Sequence, residues 1–186
     1  MSHSRSVAIF WDYENCAITP AKSHAVANNI LNIARASGTV VIFNAYSEWA
    51  NQKPAKTHDL RLILPSCGVS LVDCPHNGQK NAADTVILAD MMAFVSHNPA
   101  PATIVLISGD GDFTNTVKEL RRRTYNVILF APTATASKLR AEASTVFNWP
   151  PSNKSRVSTS SKKNHLYIRN SPQRTFSYSF SGRKQL

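Results

Sequence analysis

Thr103-Ile104-Val105-Leu106-Ile107-Ser108-Gly109-Asp110-Gly111-Asp112-Phe113 is the segment on which the architecture of this chain turns. A strand with one wet face alternates polar and apolar residues; an apolar run bounded by turn residues suits a strand covered on both faces. The run ends in Ser-Gly-Asp-Gly-Asp, so acidic groups stand directly beyond a strand that should lie in the core.

Working outward, comparable runs recur at residues 7–11, 39–46, 69–73 and 126–131. Helical patterns lie between them. The first starts at Thr19 as N-cap with Pro20 at the first helical position, stripes Val26, Ile30 and Ile33, and stops at Gly38. A second, weaker one covers residues 57–64 and is ended by Pro65. A third over residues 81–96 stripes Leu88, Met91 and Val95, a fourth over 112–123 stripes Phe113, Val117 and Leu120, and a fifth spans 136–143. Apolar strands alternating with helices predict an α/β fold, a three-layer α/β/α sandwich on a mainly parallel sheet of five or six strands.

The apolar periodicity stops after residue 150. Residues 1–150 carry 13 Lys and Arg against 11 Asp and Glu, whereas residues 151–186 carry 8 against none, so nearly all of the net charge of +10 sits at the end of the chain. Residues 151–186 are expected to form a basic, disordered tail, with Tyr167, Phe176, Tyr178 and Phe180 scattered among cations. Such a segment attracts polyanions, nucleic acid foremost. Cys16, Cys67 and Cys74 form no C-x-x-C pair, which argues against a disulfide framework or a zinc knuckle and for a reducing compartment. The apolar run at 7–11 is too short for a signal peptide core or a membrane span, so an intracellular protein, cytoplasmic or nuclear, without membrane attachment is expected.

Ligands of open parallel sheets bind beyond the carboxyl ends of the strands. Asp12 and Glu14 follow the first strand, and Asp110 and Asp112 the fourth. Asp84 falls in the first turn of the third helix, behind Lys80 and Asn81, and would point toward the same edge. Each has a plainer explanation: Asn81 and Asp84 could cap a helix, Asp110 or Asp112 could cap the next, and Asp12 could be the polar end of a strand. If the three segments converge, an all-oxygen donor set suits Mg²⁺ or Mn²⁺ rather than Zn²⁺, and such ions serve phosphodiester hydrolysis. Lys80 would then steady a phosphate oxygen. Ser108 and Asn81, lying among the acids, are candidates for substrate contact. Asp90 sits roughly 120° around the helix from Asp84 and is read as standing behind the site or facing solvent. Arg121 and Arg122 are candidate RNA contacts, although with Arg123 they also complement the helix dipole. A phosphatase of the haloacid-dehalogenase kind would need Asp where Glu14 stands, and no nucleophile elbow accompanies the dispersed histidines.

With those motifs in order, namely residues 7–16, Lys80-Asn81-Ala82-Ala83-Asp84, residues 100–110 and Asp112-Phe113, the chain resembles the NYN family of PIN-like nucleases over residues 7–149. The resemblance implies a PIN-like Rossmannoid sheet in a domain of residues 1–150. It also implies a cluster of acids that binds divalent metal and cleaves single-stranded RNA, mapping onto Asp12, Asp84, Asp110 and Asp112. Asn15 would orient a carboxylate or touch phosphate, with Glu14 and Thr85 behind the ligands. Many relatives have a second acid where this chain has Thr85, which subtracts one candidate ligand. A catalytically weak or inactive RNA-binding or recruitment module is the alternative. A targeting protein is an expected partner, and a homodimer is compatible with the sequence.

Overall fold

A computed structural model of the chain describes residues 5–51, 54–78 and 80–151. Strand β1 (Ser6–Asp12) is buried from Val7 to Asp12. It pairs in parallel with β2 (Thr39–Ser47) on one side and β4 (Thr103–Ile107) on the other. Strand β3 (Ser70–Asp73) extends the sheet beyond β2, while β5 (Asn126–Ala131) and β6 (Thr145–Asn148) extend it beyond β4. The order is β3-β2-β1-β4-β5-β6 and every pairing is parallel. The expected mainly parallel sheet is thus wholly parallel, with six strands.

Alternation along β1 distributes side chains to two cores. Val7, Ile9 and Trp11 pack with α1 (Pro20–Arg35) and α2 (Pro54–Ser66). Ala8 and Phe10 pack with α3 (Ala82–His97), α4 (Thr114–Arg122) and α5 (Ser137–Glu142). This is the α/β/α sandwich predicted from the double-sided apolar strands, and each fully buried large side chain contributes about 1.5–3 kcal/mol. Gly38 makes the entry to β2 possible: its φ is +150°, and a Cβ there would stand 2.0 Å from the carbonyl oxygen of Arg5. The adjacent Thr39 N–H donates to that same oxygen at 2.8 Å.

Four expectations need correction. Helix α2 runs through Pro65, which lies in its last turn. The proline's missing N–H and its ring disturb only the final turn, and the helix ends at Ser66. Helix α3 buries Ala83, Ile87, Met91 and Phe94, so Met91 is buried as expected while Leu88 and Val95 are only partly buried. Residues 111–113 form a short 3-10 turn ahead of α4 rather than its first turn. Strand β6 was not among the expected runs. The expected disorder of the basic tail lies outside the described residues. Among those that are described, no helix is long and apolar enough to cross a membrane.

The chain leaves β1 toward the α1 face and β4 toward the α4 face. The carboxyl ends of these neighbouring strands therefore open a crevice at the point where the strand order reverses. The register pairs Trp11 with Ile107, so the next residues on each strand, Asp12 and Ser108, emerge side by side.

A candidate active site at the carboxyl edge of the sheet

Asp12, the last residue of β1, is 3% exposed. Burial raises its pKa above the ordinary carboxylate value; the Ser108 and Asn15 hydrogen bonds pull it back, and the charges of Glu14 and Asp110 raise it further. Its Oδ2 accepts from Ser108 Oγ at 2.7 Å and its Oδ1 from the Asn15 N–H at 3.1 Å. A carboxylate costs free energy in such a place unless donors or a cation offset its desolvation.

The loop after β4 is built around the same hydroxyl. Ser108, fully buried, accepts from the Asp110 N–H at 3.0 Å while donating to Asp12. Asn15 Oδ1 accepts from the Gly109 N–H at 2.8 Å, tying the β1 and β4 loops together. A Cβ on Gly109 would lie 2.9 Å from both Asn15 Oδ1 and Thr135 Oγ1, so any other residue there would push these side chains aside. Asp110 Oδ1 accepts from the Asp112 N–H at 2.8 Å and caps the 3-10 turn.

Asp84 enters from the first turn of α3. Asn81, before that helix, has φ +64° and makes no side-chain cap, so the plain capping explanation fails for it. Asp84 is half-buried and its pKa is pushed up to about 6, by burial first and then by the charges of Asp12, Asp110, Asp112 and Glu14. Three separate chain segments therefore bring their carboxylates into one electrostatic field. Asp12, Asp84 and Asp110 line a cleft of about 370 Å³.

Glu14, expected behind the site, lines the cleft itself. It accepts from the Glu48 N–H at 2.9 Å and stands 3.0 Å from His76 Nε2. That carboxylate raises the pKa of the exposed His76 imidazole above its ordinary value. His76 is a cleft residue that sequence reasoning missed; its signal was its position just past β3, at the same carboxyl edge. Lys80, Asn81 and Asn15 also line the cleft.

Other expected residues lie elsewhere. Ser108 is sealed from solvent, so it positions Asp12 and Asp110 instead of touching substrate. Asp112 is exposed and does not line the cleft, although its charge reaches Asp84. Thr85 turns its hydroxyl back to the Asn81 carbonyl at 3.2 Å. Asp90, half-buried, accepts from the Tyr46 hydroxyl at 2.7 Å and does not line the cleft. Arg121 and Arg122 end α4, which starts at the carboxyl edge and runs back across the sheet, so they sit at the opposite edge. Arg122 also pairs with Glu119 at 2.7 Å. Among the described residues, no three side chains of His, Cys, Asp or Glu are gathered so as to hold a metal ion as they stand.

A wholly parallel sheet with acids at its switch point defines a PIN-like α/β protein. The chain belongs to the NYN domain family, whose model matches residues 6–150. Membership supports an RNA-related nuclease function. The chain is 27% identical over 125 residues to the meiosis regulator and mRNA stability factor 1 of Bos taurus, covering 66% of this chain and 7% of that protein. It is 27% identical over 118 residues to the Gallus gallus protein of the same name, covering 63% and 6%. This chain thus spans a small part of the length of these curated relatives. Among solved structures, a Vibrio parahaemolyticus protein of unknown function superposes with a TM-score of 0.63 at 22% identity, over 80% of this chain and 95% of that one, a likeness of fold.

Proposed function

We propose that this protein is a metal-dependent endoribonuclease that hydrolyses phosphodiester bonds of single-stranded RNA. The observation that carries the reading is the half-buried Asp84, its pKa pushed up to about 6 by burial and by Asp12, Asp110, Asp112 and Glu14, in a cleft at the switch point. Carboxylates so placed repel one another, and a divalent cation would relieve that cost. Their all-oxygen chemistry fits Mg²⁺ or Mn²⁺, which are commonly bound through one or two carboxylates, waters and substrate phosphates, so a closed protein cage is not required. RNA as the substrate is supported by family membership and by the relatives, which are named as mRNA stability factors.

Asp12, Asp84 and Asp110 would hold the ion, and Asp112 would add charge from outside the cleft. When bound, the ion supplies a more acidic water and neutralises charge building on the phosphate. Ser108 orients Asp12 by donating to Oδ2 and favours its ionised form against the burial that raises its pKa. Asn15 fixes the Asp110 loop through Gly109, and Lys80 offers a point charge for a phosphate oxygen.

Purified protein with end-labelled single-stranded RNA or DNA, in Mg²⁺, Mn²⁺ or EDTA, tests this beside Asp12→Asn and Asp110→Asn. Internal, metal-dependent cuts in RNA, lost in both variants, are expected. Intact RNA under every condition would refute catalysis. A second reading, a non-catalytic RNA-binding module, is favoured by the absence of a preassembled three-ligand group among the described residues and by Thr85 in place of a second acid. RNA bound but never cut would establish it.

A further inference from the structure

The cleft poses an electrostatic problem for the substrate just proposed. Asp12, Glu14, Asp84 and Asp110 line it, against Lys80 as the only lysine or arginine among the described residues. A nucleic-acid strand brings one negative charge per nucleotide into that field. His76 is the other group in the lining that can carry positive charge.

Its placement is specific. The segment from Pro75 turns sharply, with Asn77 at φ +43° and Gly78 at φ +79°. The His76 N–H is held by Glu48 Oε1 at 3.3 Å, and Nε2 stands 3.0 Å from Glu14 Oε1. One ring nitrogen is thereby committed to a carboxylate, which orients the imidazole and favours its protonated form. Among the described residues Nδ1 has no partner, so it remains available to donate outward. The charges acting on His76 are those of Glu14 and Glu48, whereas those acting on Asp84 are Asp12, Asp110, Asp112 and Glu14. His76 therefore stands beside Glu14, and none of Asp12, Asp84 and Asp110 is among the charges acting on it.

We infer that His76 and Lys80 form a phosphate subsite that grips the RNA backbone beside the scissile phosphodiester, His76 donating through Nδ1 while Glu14 holds Nε2. The inference rests on the nuclease reading for its substrate but concerns binding, and it can fail or stand independently of cleavage. The subsite supplies positive charge where the strand meets an otherwise acidic surface, and it fixes register along the backbone without reading bases.

Binding of the full chain to a short single-stranded RNA in EDTA, across a salt series, tests it. His76→Gln keeps an N–H donor for Glu14 and removes the positive charge; Lys80→Gln is the companion variant, and Arg121→Gln, at the opposite edge, the control. His76→Gln and Lys80→Gln are each expected to weaken binding about three- to tenfold. Each should also reduce the slope of log K against log salt by about 0.7, the loss of one phosphate contact on a single strand. Arg121→Gln should change neither. Wild-type affinity and slope in His76→Gln, or an equal loss in Arg121→Gln, would overturn the subsite. Wild-type protein that binds but never cuts would remove the nuclease reading and leave this one intact.

Discussion

Replacing Asp84 with Asn should make the protein more stable and, under the proposed function, inactive. The Asp84 pKa rises from 3.8 to about 6 in the folded chain, so folding favours the protonated form. The stability associated with this group is fully present below pH 3.8 and is lost as pH rises through about 6. Two pKa units correspond to at most about 3 kcal/mol. The side chain is half-exposed, and screening by solvent lowers the realistic figure to about 1 kcal/mol. Asparagine cannot ionise, so Asp84→Asn avoids this loss, and in a domain of this size its Tm should exceed wild type by about 2–4 °C near pH 8. Thermal unfolding of both proteins at low salt across pH 3.5–8 reads the difference directly. The gain should vanish below about pH 4, where both side chains are neutral. Millimolar Mg²⁺ should shrink it near pH 8 by stabilising the wild type alone. A lower Tm for Asp84→Asn near pH 8, or a difference independent of pH, would refute the claim that Asp84 sits in a repulsive field.

Two further perturbations probe the frame around the site. Ser108→Ala removes the donor to Asp12 Oδ2 and the acceptor for the Asp110 N–H, and should cost about 2–3 kcal/mol in urea unfolding at neutral pH; a loss under about 0.5 kcal/mol would mean that water replaces the hydroxyl. Ile87→Ala, at a fully buried position of α3, should cost about 2–5 kcal/mol and Leu88→Ala clearly less, and the reverse order would restore the stripe predicted from sequence.

What could be read from sequence alone followed the strength of the local signal. Phe113, Val117 and Leu120 stood out because polar residues surround them, and all three are buried as expected. Helix α3 is apolar almost all round, so its periodicity is weak and the choice between Leu88 and Ile87 is made by the sheet it packs on. Thr145-Val146-Phe147-Asn148 is too short and too mixed to stand out, and it becomes β6 because the edge of β5 is there to pair with it. The acids of the site were legible because carboxylates directly after buried strands are costly without a partner. The roles around them were not. That Ser108 is sealed beneath Asp12, that Glu14 enters the cleft with His76, and that Arg121 and Arg122 fall on the far side all depend on register and helix direction.

The Ser108 to Asp12 hydrogen bond joins residues 96 positions apart. During synthesis Asp12 leaves the ribosome long before its donor, and so does Asp84. Until β4 slots in beside β1 there is no hydroxyl to orient the buried carboxylate and no Gly109 amide for Asn15 to grasp. The acidic cluster is consequently assembled late, as a product of long-range strand pairing with its slow loop closure. A chain arrested or cleaved before residue 108 carries Asp12 and Asp84 yet lacks the site, so competence for the proposed function is tied to completion of the sheet.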